Sequence, residues 1–464
     1  GYTSVQVNIN AMGMNILNDA ANEPSITIDP TNPNRMAIGW RQFDTITDSF
    51  RQAGYAYTTD GGETWTFPGV IEPGIFRSDP VLAADAQGNF YYNSLRVENG
   101  SDFFCDVFRS TDGGVTWGSG TLAFGGDKQW MAIDRTSGKG AGHIYTSWNA
   151  SFSCCGGDFS HSTDGNQSYL GPLTLPDSPF WGTLDVGPDG DLYISGNGFV
   201  VLRSINAQDD METPSFTVSN VNLDGTLRVA TGPNPAGLLG QGWVATDHSN
   251  TPSRGNVYLL GSVDRFGPDP LDVMFSRSTD NGQTWSPPVQ VNEDALNGWQ
   301  WLSTMSVAPN GRIDVIFLDT KNSGLENVSE MFYTFSIDTG NTWAEAIAVT
   351  PQFDSHVGWP QQNKMGDYFD MISDDEGVNI AYAATFNGEQ DVYFLRIDGD
   401  CNENGVLDLQ DIADGSLEDL NQNGQPDSCE NASIPTTSSW GVVIMALVMF
   451  AMVSVIRRPE TPLA

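Results

Sequence analysis

Two short stretches late in the chain hold oxygen-bearing side chains at the alternate spacing that wraps a hard cation. In "DCNENGVLDLQD" these are Asp400, Asn402, Asn404, Asp408 and Asp411, with Gly405 at the turn and the carbonyl of Val406 as a further donor. In "DLNQNGQPDSCE" they are Asp419, Asn421, Asn423, Gln425, Asp427 and Glu430, with Gly424 at the turn. Oxygen donors spaced in this way along a twelve-residue loop bind calcium, so calcium is the expected cofactor. The first loop ends on Asp411 where the second ends on Glu430, which predicts weaker, one-oxygen ligation in the first. Cys401 and Cys429 flank the pair, and a disulfide between them would fasten a unit too small to own a core.

Other candidates are spread along the chain. They are Glu23 in "NEPS", Arg77 and Asp79 in "FRSDP", Asp127 and Lys128 in "GDKQW", Trp181, then Trp299 and Trp301 in "WQW", and Lys364, Asp367 and Tyr368 in "KMGDY". Arg41, Arg96, Arg265 and Lys321 add cations. Flat aromatic faces beside short polar groups suit sugar rings. Four histidines, at 143, 161, 248 and 356, show no metal-type spacing, and no Gly-x-Ser-x-Gly elbow occurs, which argues against a zinc or serine hydrolase. A net charge of −38 argues against nucleic acid as partner. It favours solubility, and an acidic wall could also hold cations.

The elements that must position these residues are repeated. "TTDGGETW", "RSTDGGVTW", "RSTDNGQTW" and "FSIDTGNTW" are copies of one box, and "HSTDGNQSY" is a worn fifth. Their aspartates, at 60, 112, 164, 280 and 338, lie 52, 52, 116 and 58 residues apart, so one copy has eroded, with "VLRSIN" (201–206) as its remnant. Ahead of each box stand two apolar strands joined by an Asp- or Gly-bearing turn, in seven copies, from "SITIDPTNPNRMAIGW" to "YFDMISDDEGVNIAYAAT". A third strand leads into each box and a fourth leaves it. Four antiparallel strands repeated around a ring predict an all-β, seven-bladed β-propeller, with six blades as the alternative if one unit is an insertion. The seventh unit stops after "DVYFLRI", and "SVQVN" (4–8) is expected to complete it and close the ring.

The box resembles the Asp-box, or bacterial neuraminidase (BNR) repeat, of sialidase-like propellers, over roughly residues 3–397. The resemblance implies that the boxes staple blades on the rim opposite the substrate face and carry no chemistry. It also implies that innermost strand starts and second-to-third strand loops surround a site, where the candidates above would meet. "FRSDP" resembles the Phe-Arg-Ile-Pro motif of sialidases, with one residue more between Arg77 and Pro80. By the same resemblance the catalytic set would be Arg77, Asp127 as acid/base, and Tyr368 with Asp367 as nucleophile pair. The substrate would be held by Arg41, Arg96, Arg265, Glu23, Asp79, Trp181, Trp299 and Trp301, three arginines converging on its carboxylate. The expected function is recognition of glycans, with exo-sialidase-type hydrolysis as its enzymatic form. The alternative is a non-catalytic structural or adhesive propeller of the cell envelope, with an envelope protein as partner.

The two oxygen-rich loops resemble an EF-hand or dockerin pair, which marks 398–430 as a calcium-binding segment on a rigid stalk. The remainder, 431–464, holds an apolar, charge-free run over 440–456, just long enough to span a membrane, with Arg457 and Arg458 beyond it. Ile434-Pro435-Thr436-Thr437 resembles an Ile-Pro-Thr-Leu-type bacterial sorting signal. These features predict an exported, cell-surface protein of an oxidising compartment, in which Cys105 could pair with Cys154 or Cys155.

Overall fold

In the computed structural model the described residues are 2–293, 298–398 and short stretches between 408 and 428. They fall into two compact units divided at Asp408. The first is all-β and forms seven antiparallel blades around a central channel, six of four strands and one, the sixth, with a fifth short strand, Phe353–Asp354, added to it. Blade one runs through Ala20–Ile28, Met36–Phe43, Gln52–Thr58 and Thr66–Ile71, each strand pairing with the one before it. The other innermost strands are Ser78–Ala84, Asp127–Ile133, Leu184–Val186, Trp243–Thr246, Gln300–Val307 and Asp370–Ser373.

Closure follows from the chain ends. Blade seven takes its fourth strand from the N-terminus: Val5 pairs with Phe394 and Gln6 with Tyr393. Val7 is fully buried, and Asn8 ties the joint from both ends of its amide, donating to Asp391 at 2.6 Å and accepting from the Val392 N–H at 3.0 Å. The third strand of blade seven, Asp391–Asp398, is thereby paired on both edges.

The boxes turn between third and fourth strands. In the box of Asp280, Oδ1 accepts from the Thr284 N–H at 2.8 Å and from Ser278 Oγ at 2.8 Å, and Oδ2 accepts from Thr284 Oγ1 at 2.6 Å. The Thr284 hydroxyl, followed by its N–H, holds that carboxyl at about 2. The box tryptophans reach back to the preceding blade. Trp65 lies 5.3 Å from Phe394 and Trp343 5.2 Å from Phe275, centroid to centroid. In the eroded copy Ser204 and Asn206 still form the turn, with the Ala207 N–H on Ser204 Oγ at 3.0 Å.

Cys154 and Cys155 are bonded to each other, and Cys105 is a buried thiol. This corrects the expected pairing of Cys105 with either. The two neighbours share a loop tip and reach one another, while Cys105 faces inward against Gly125 and Gly126. Of the second unit, Asp408 and Asp411 are buried, and the Asp427 carboxylate accepts from the Leu420 N–H at 3.2 Å. Asp400, Cys401, Asn402, Asn404, Val406, Asn421, Asn423, Gln425, Cys429, Glu430 and the apolar run 440–456 lie outside the described residues.

Candidate functional site

The innermost strands begin at the end of the channel opposite the boxes. There blades one, two, three and six share a device. The register skips between Asn22 and Ser25, Ser78 and Val81, Asp127 and Trp130, and Trp301 and Thr304. Within each skip one non-glycine residue takes left-handed backbone: Glu23 (φ 52°), Asp79 (48°), Lys128 (55°) and Leu302 (51°). Such a conformation costs on the order of 1 kcal/mol or more and persists only where the surroundings enforce it. A bulge re-aims the side chain, and on three successive blades that side chain is charged.

The charges meet across blades. Lys364 Nζ lies 3.0 Å from Glu23 Oε1 and 2.5 Å from Asp367 Oδ2, and Lys128 Nζ donates to the same Asp367 oxygen. Arg41 Nε lies 3.0 Å from Glu23 Oε2 and donates to Asn22 Oδ1 at 2.8 Å, while its NH1 donates to Gln362 at 2.8 Å. Asp79 Oδ2 accepts the Lys128 N–H at 3.2 Å. Gly366, at φ 110°, brings the blade-seven approach against Glu23, where a Cβ would stand 2.7 Å from Glu23 Cγ. Arg51 lies over the Phe76 ring at 4.5 Å and donates to Ser78 Oγ at 3.0 Å.

Burial and pairing oppose one another here. Burial pushes Glu23 up to about 7 against the pull of Arg41 and Lys364. Asp367 is also buried, yet Lys128 and Lys364 hold it well below the usual carboxylate range. Burial lowers Arg51 to about 10 and raises Asp127, which Lys128 pulls back. Arg41 keeps one guanidinium nitrogen, NH2, buried and without a hydrogen bond. Among the described residues no group of three or more histidine, cysteine or carboxylate side chains is set to hold a metal.

The cluster is roofed. A hairpin of Val229–Thr231 and Asn234–Leu238 leaves the ring between blades four and five. Asn234 donates to the Gly366 carbonyl at 2.7 Å and accepts the Met365 N–H at 2.9 Å. The Leu238 N–H donates to Asp367 Oδ1 at 2.8 Å, so roof and cluster share one carboxylate. Ser355 adds a bond to the Pro233 carbonyl at 2.9 Å.

The predicted residues divide accordingly. Glu23, Arg41, Asp79, Asp127 and Asp367 come together, with Lys128 and Lys364. Each remaining arginine of the expected three-arginine set is paired with a carboxylate of its own surroundings. Arg77 and Arg96 share Asp106, at 2.8 and 2.6 Å, and Arg265 lies between Asp224 and Asp272, at 2.9 and 3.2 Å. Tyr368 is buried and donates to the Pro80 carbonyl at 2.6 Å, edge-on to Trp130. Burial and the nearby Glu23 and Asp79 push its phenol well up. Trp301 is a core residue whose Nε1 donates to Ser329 at 3.0 Å. Trp299 is half-buried under the hairpin, a Cβ at Gly232 falling 2.6 Å from its ring. Trp181 is half-buried at φ 59°, edge-on to Phe180. Arg51, Gln362 and Asn234 escaped the sequence reading. Arg51 had a signal, since it ends a second-to-third strand loop; the other two lie in connections of no repeat.

Comparison with known families matches the BNR/Asp-box repeat at residues 56–67 and 276–287. The chain carries BNR/Asp-box repeats. No curated protein matches the sequence. Similar solved structures include a protein of unknown function from Dyadobacter fermentans, at 14% identity and a TM-score of 0.49, over 85% of this chain and 97% of that one. YCF48 bound to D1 peptide is similar at 12% identity and a TM-score of 0.47, over 85% and 94%. Trypanosoma rangeli sialidase is similar at 12% identity and a TM-score of 0.43, over 85% and 59%.

Proposed function

We propose that the propeller recognises a glycan at the channel end where Glu23, Asp79 and Lys128 converge. One observation carries the reading: three successive blades hold a charged, non-glycine residue in left-handed backbone at the same strand position. Strain repeated in this way is explained by a need to aim side chains at one point. In this reading Trp181, half-buried at the start of blade four, supplies a flat apolar face, and Arg51 and Arg41 supply donors. Recognition is favoured over turnover. The arginines do not surround one carboxylate, and the Tyr368 hydroxyl is turned to a backbone carbonyl.

A glycan array with the purified chain tests this. Binding that is lost in Trp181→Ala and Arg51→Ala supports it, and an array with no bound glycan ends it. A fluorogenic sialoside decides on hydrolysis: turnover abolished by Asp127→Asn would make the site catalytic. A second reading, a structural or adhesive envelope module, draws support from the roofed cluster, whose charges are mostly paired internally. Export, calcium loading of 398–430 and attachment through 440–456 belong to the proposal on sequence grounds alone. Calcium-dependent protection of 398–430 from proteolysis is the expected outcome.

A further inference from the structure

Among the described residues a preformed cavity lies on the other side of the cluster. It occupies about 350 Å³ of the channel and is lined by the innermost strands and by the residues just past their ends, Arg135, His248 and Pro309. Trp130 stands edge-on to Trp243 and to Tyr368, each at 5.1 Å between centroids, and this aromatic layer sits between the cavity and the charged cluster. The strand ends point to the box face, so the cavity faces away from the proposed glycan site.

Its charges are unequal in what they offer. Asp185 is occupied, Oδ2 accepting from the Thr246 N–H and hydroxyl at 2.7 Å each and Oδ1 from the Val186 N–H at 2.8 Å. Asp370 is occupied by Ser25 Oγ at 2.6 Å and by the N–H groups of Ile26 and Met371 at 3.0 and 2.9 Å. His248 holds the Val186 carbonyl through Nε2 at 2.7 Å. Arg135 is different. It is exposed, and among the described residues no hydrogen bond or ion pair engages its guanidinium. In a chain of net charge −38, most other arginines lie against a carboxylate or a carbonyl. The walls beyond Arg135 are mixed, with the side chains of Ile28, Leu184, Val186, Met305 and Val307 interleaved with Thr27, Thr183, Thr246, Ser306 and Ser373.

We infer that this lower channel is a second binding site, for a small carboxylate with an apolar body, its anionic end on Arg135 at the box-face rim. A planar guanidinium fork matches a carboxylate bidentately. The volume is at the low end for small-molecule sites, which limits the body to about one ring or one branched chain. The site is independent of the glycan reading, because the aromatic layer separates the two.

The test uses the full chain labelled with 13C at methionine methyls and titrated with 4-fluorobenzoate, followed by 19F and 13C NMR. Saturable 19F broadening is expected, with shifts at Met305 and Met371, which line the cavity, and none at exposed Met12. Neutral 4-fluorobenzamide should bind about tenfold or more weakly, and Arg135→Ala should weaken benzoate by a similar factor. Arg109→Ala, an arginine placed over Tyr91, should change nothing. Equal binding of the amide, an unaffected Arg135→Ala, or no saturable binding each overturns the inference. Loss of glycan binding in Trp181→Ala with benzoate binding intact would leave this site standing by itself.

Discussion

Single residues set how this ring responds to pH. Asp370 is buried and among the described residues forms no ion pair, and burial pushes its carboxyl up to about 7. Its folded value exceeds its unfolded one, so the stability it contributes is full below about pH 4 and is lost as pH rises towards 7. Asp19 is raised to about 7 and Asp391 to about 6, burial again leading, and both act in the same direction. Asp280, held at about 2, acts oppositely: its contribution is present above about pH 4 and lost as pH falls towards 2. Asp370→Asn should therefore flatten the fall in melting temperature between pH 5 and pH 8. An unchanged slope in scanning calorimetry would contradict this. Glycines act through close approach. Gly340 has φ +77°, and a Cβ there would stand 2.1 Å from the Phe275 ring of the preceding blade. Gly340→Ala adds left-handed strain to overpacking and should cost about 2–4 kcal/mol, read as a lower denaturation midpoint.

The hairpin of Val229–Thr231 and Asn234–Leu238 belongs to no blade, and one side chain, Asn234, makes two of its bonds to the ring. Asn234 is fully buried and bonds the Gly366 carbonyl and the Met365 N–H. Removing it leaves both backbone groups unpaired, at about 1–3 kcal/mol for the pair. In Asn234→Ala the amides of Met365 and Leu238 should exchange with solvent faster, while the innermost strands keep their protection. Hydrogen-exchange mass spectrometry resolves the two. Acceleration throughout the ring, or none at 365 and 238, would show that Asn234 is not the pin of this roof. The element also explains why the charged strand starts are buried rather than open to solvent, and it places Trp299 beneath Gly232.

At the scale of the whole molecule, stability is circular. Each box tryptophan reaches the preceding blade, and the last gap is closed by two residues of strand, Val5–Gln6. Deleting residues 1–9 should expose the edge of Asp391–Asp398 and strip Asp391 of its Asn8 partner. The expected results are a lower melting temperature and self-association through the bared edge, seen by light scattering. A deletion variant that stays monomeric with an unshifted midpoint would mean that closure rests elsewhere.

The all-β class, the number of blades, the box turns and the N-terminal closing strand were legible in the amino-acid order. All of them depend on short-range patterns: period-two apolar runs, an aspartate two residues after a hydroxyl, and a repeat near 52–58 residues. The gathering of Glu23, Asp79, Asp127 and Asp367 was legible to the same extent, because each stands at one place in the repeat. Which cation reaches them was not. Arg77 and Arg96 look eligible by position, yet Asp106 on the third strand of the same blade claims both. Trp301 stands at a strand start and turns into the core. Partners far apart in the chain, Glu23 with Lys364 or Leu238 with Asp367, have no local signature. They are chosen only when the ring closes, because a buried charge must take whichever opposite charge or donor the packing brings within reach.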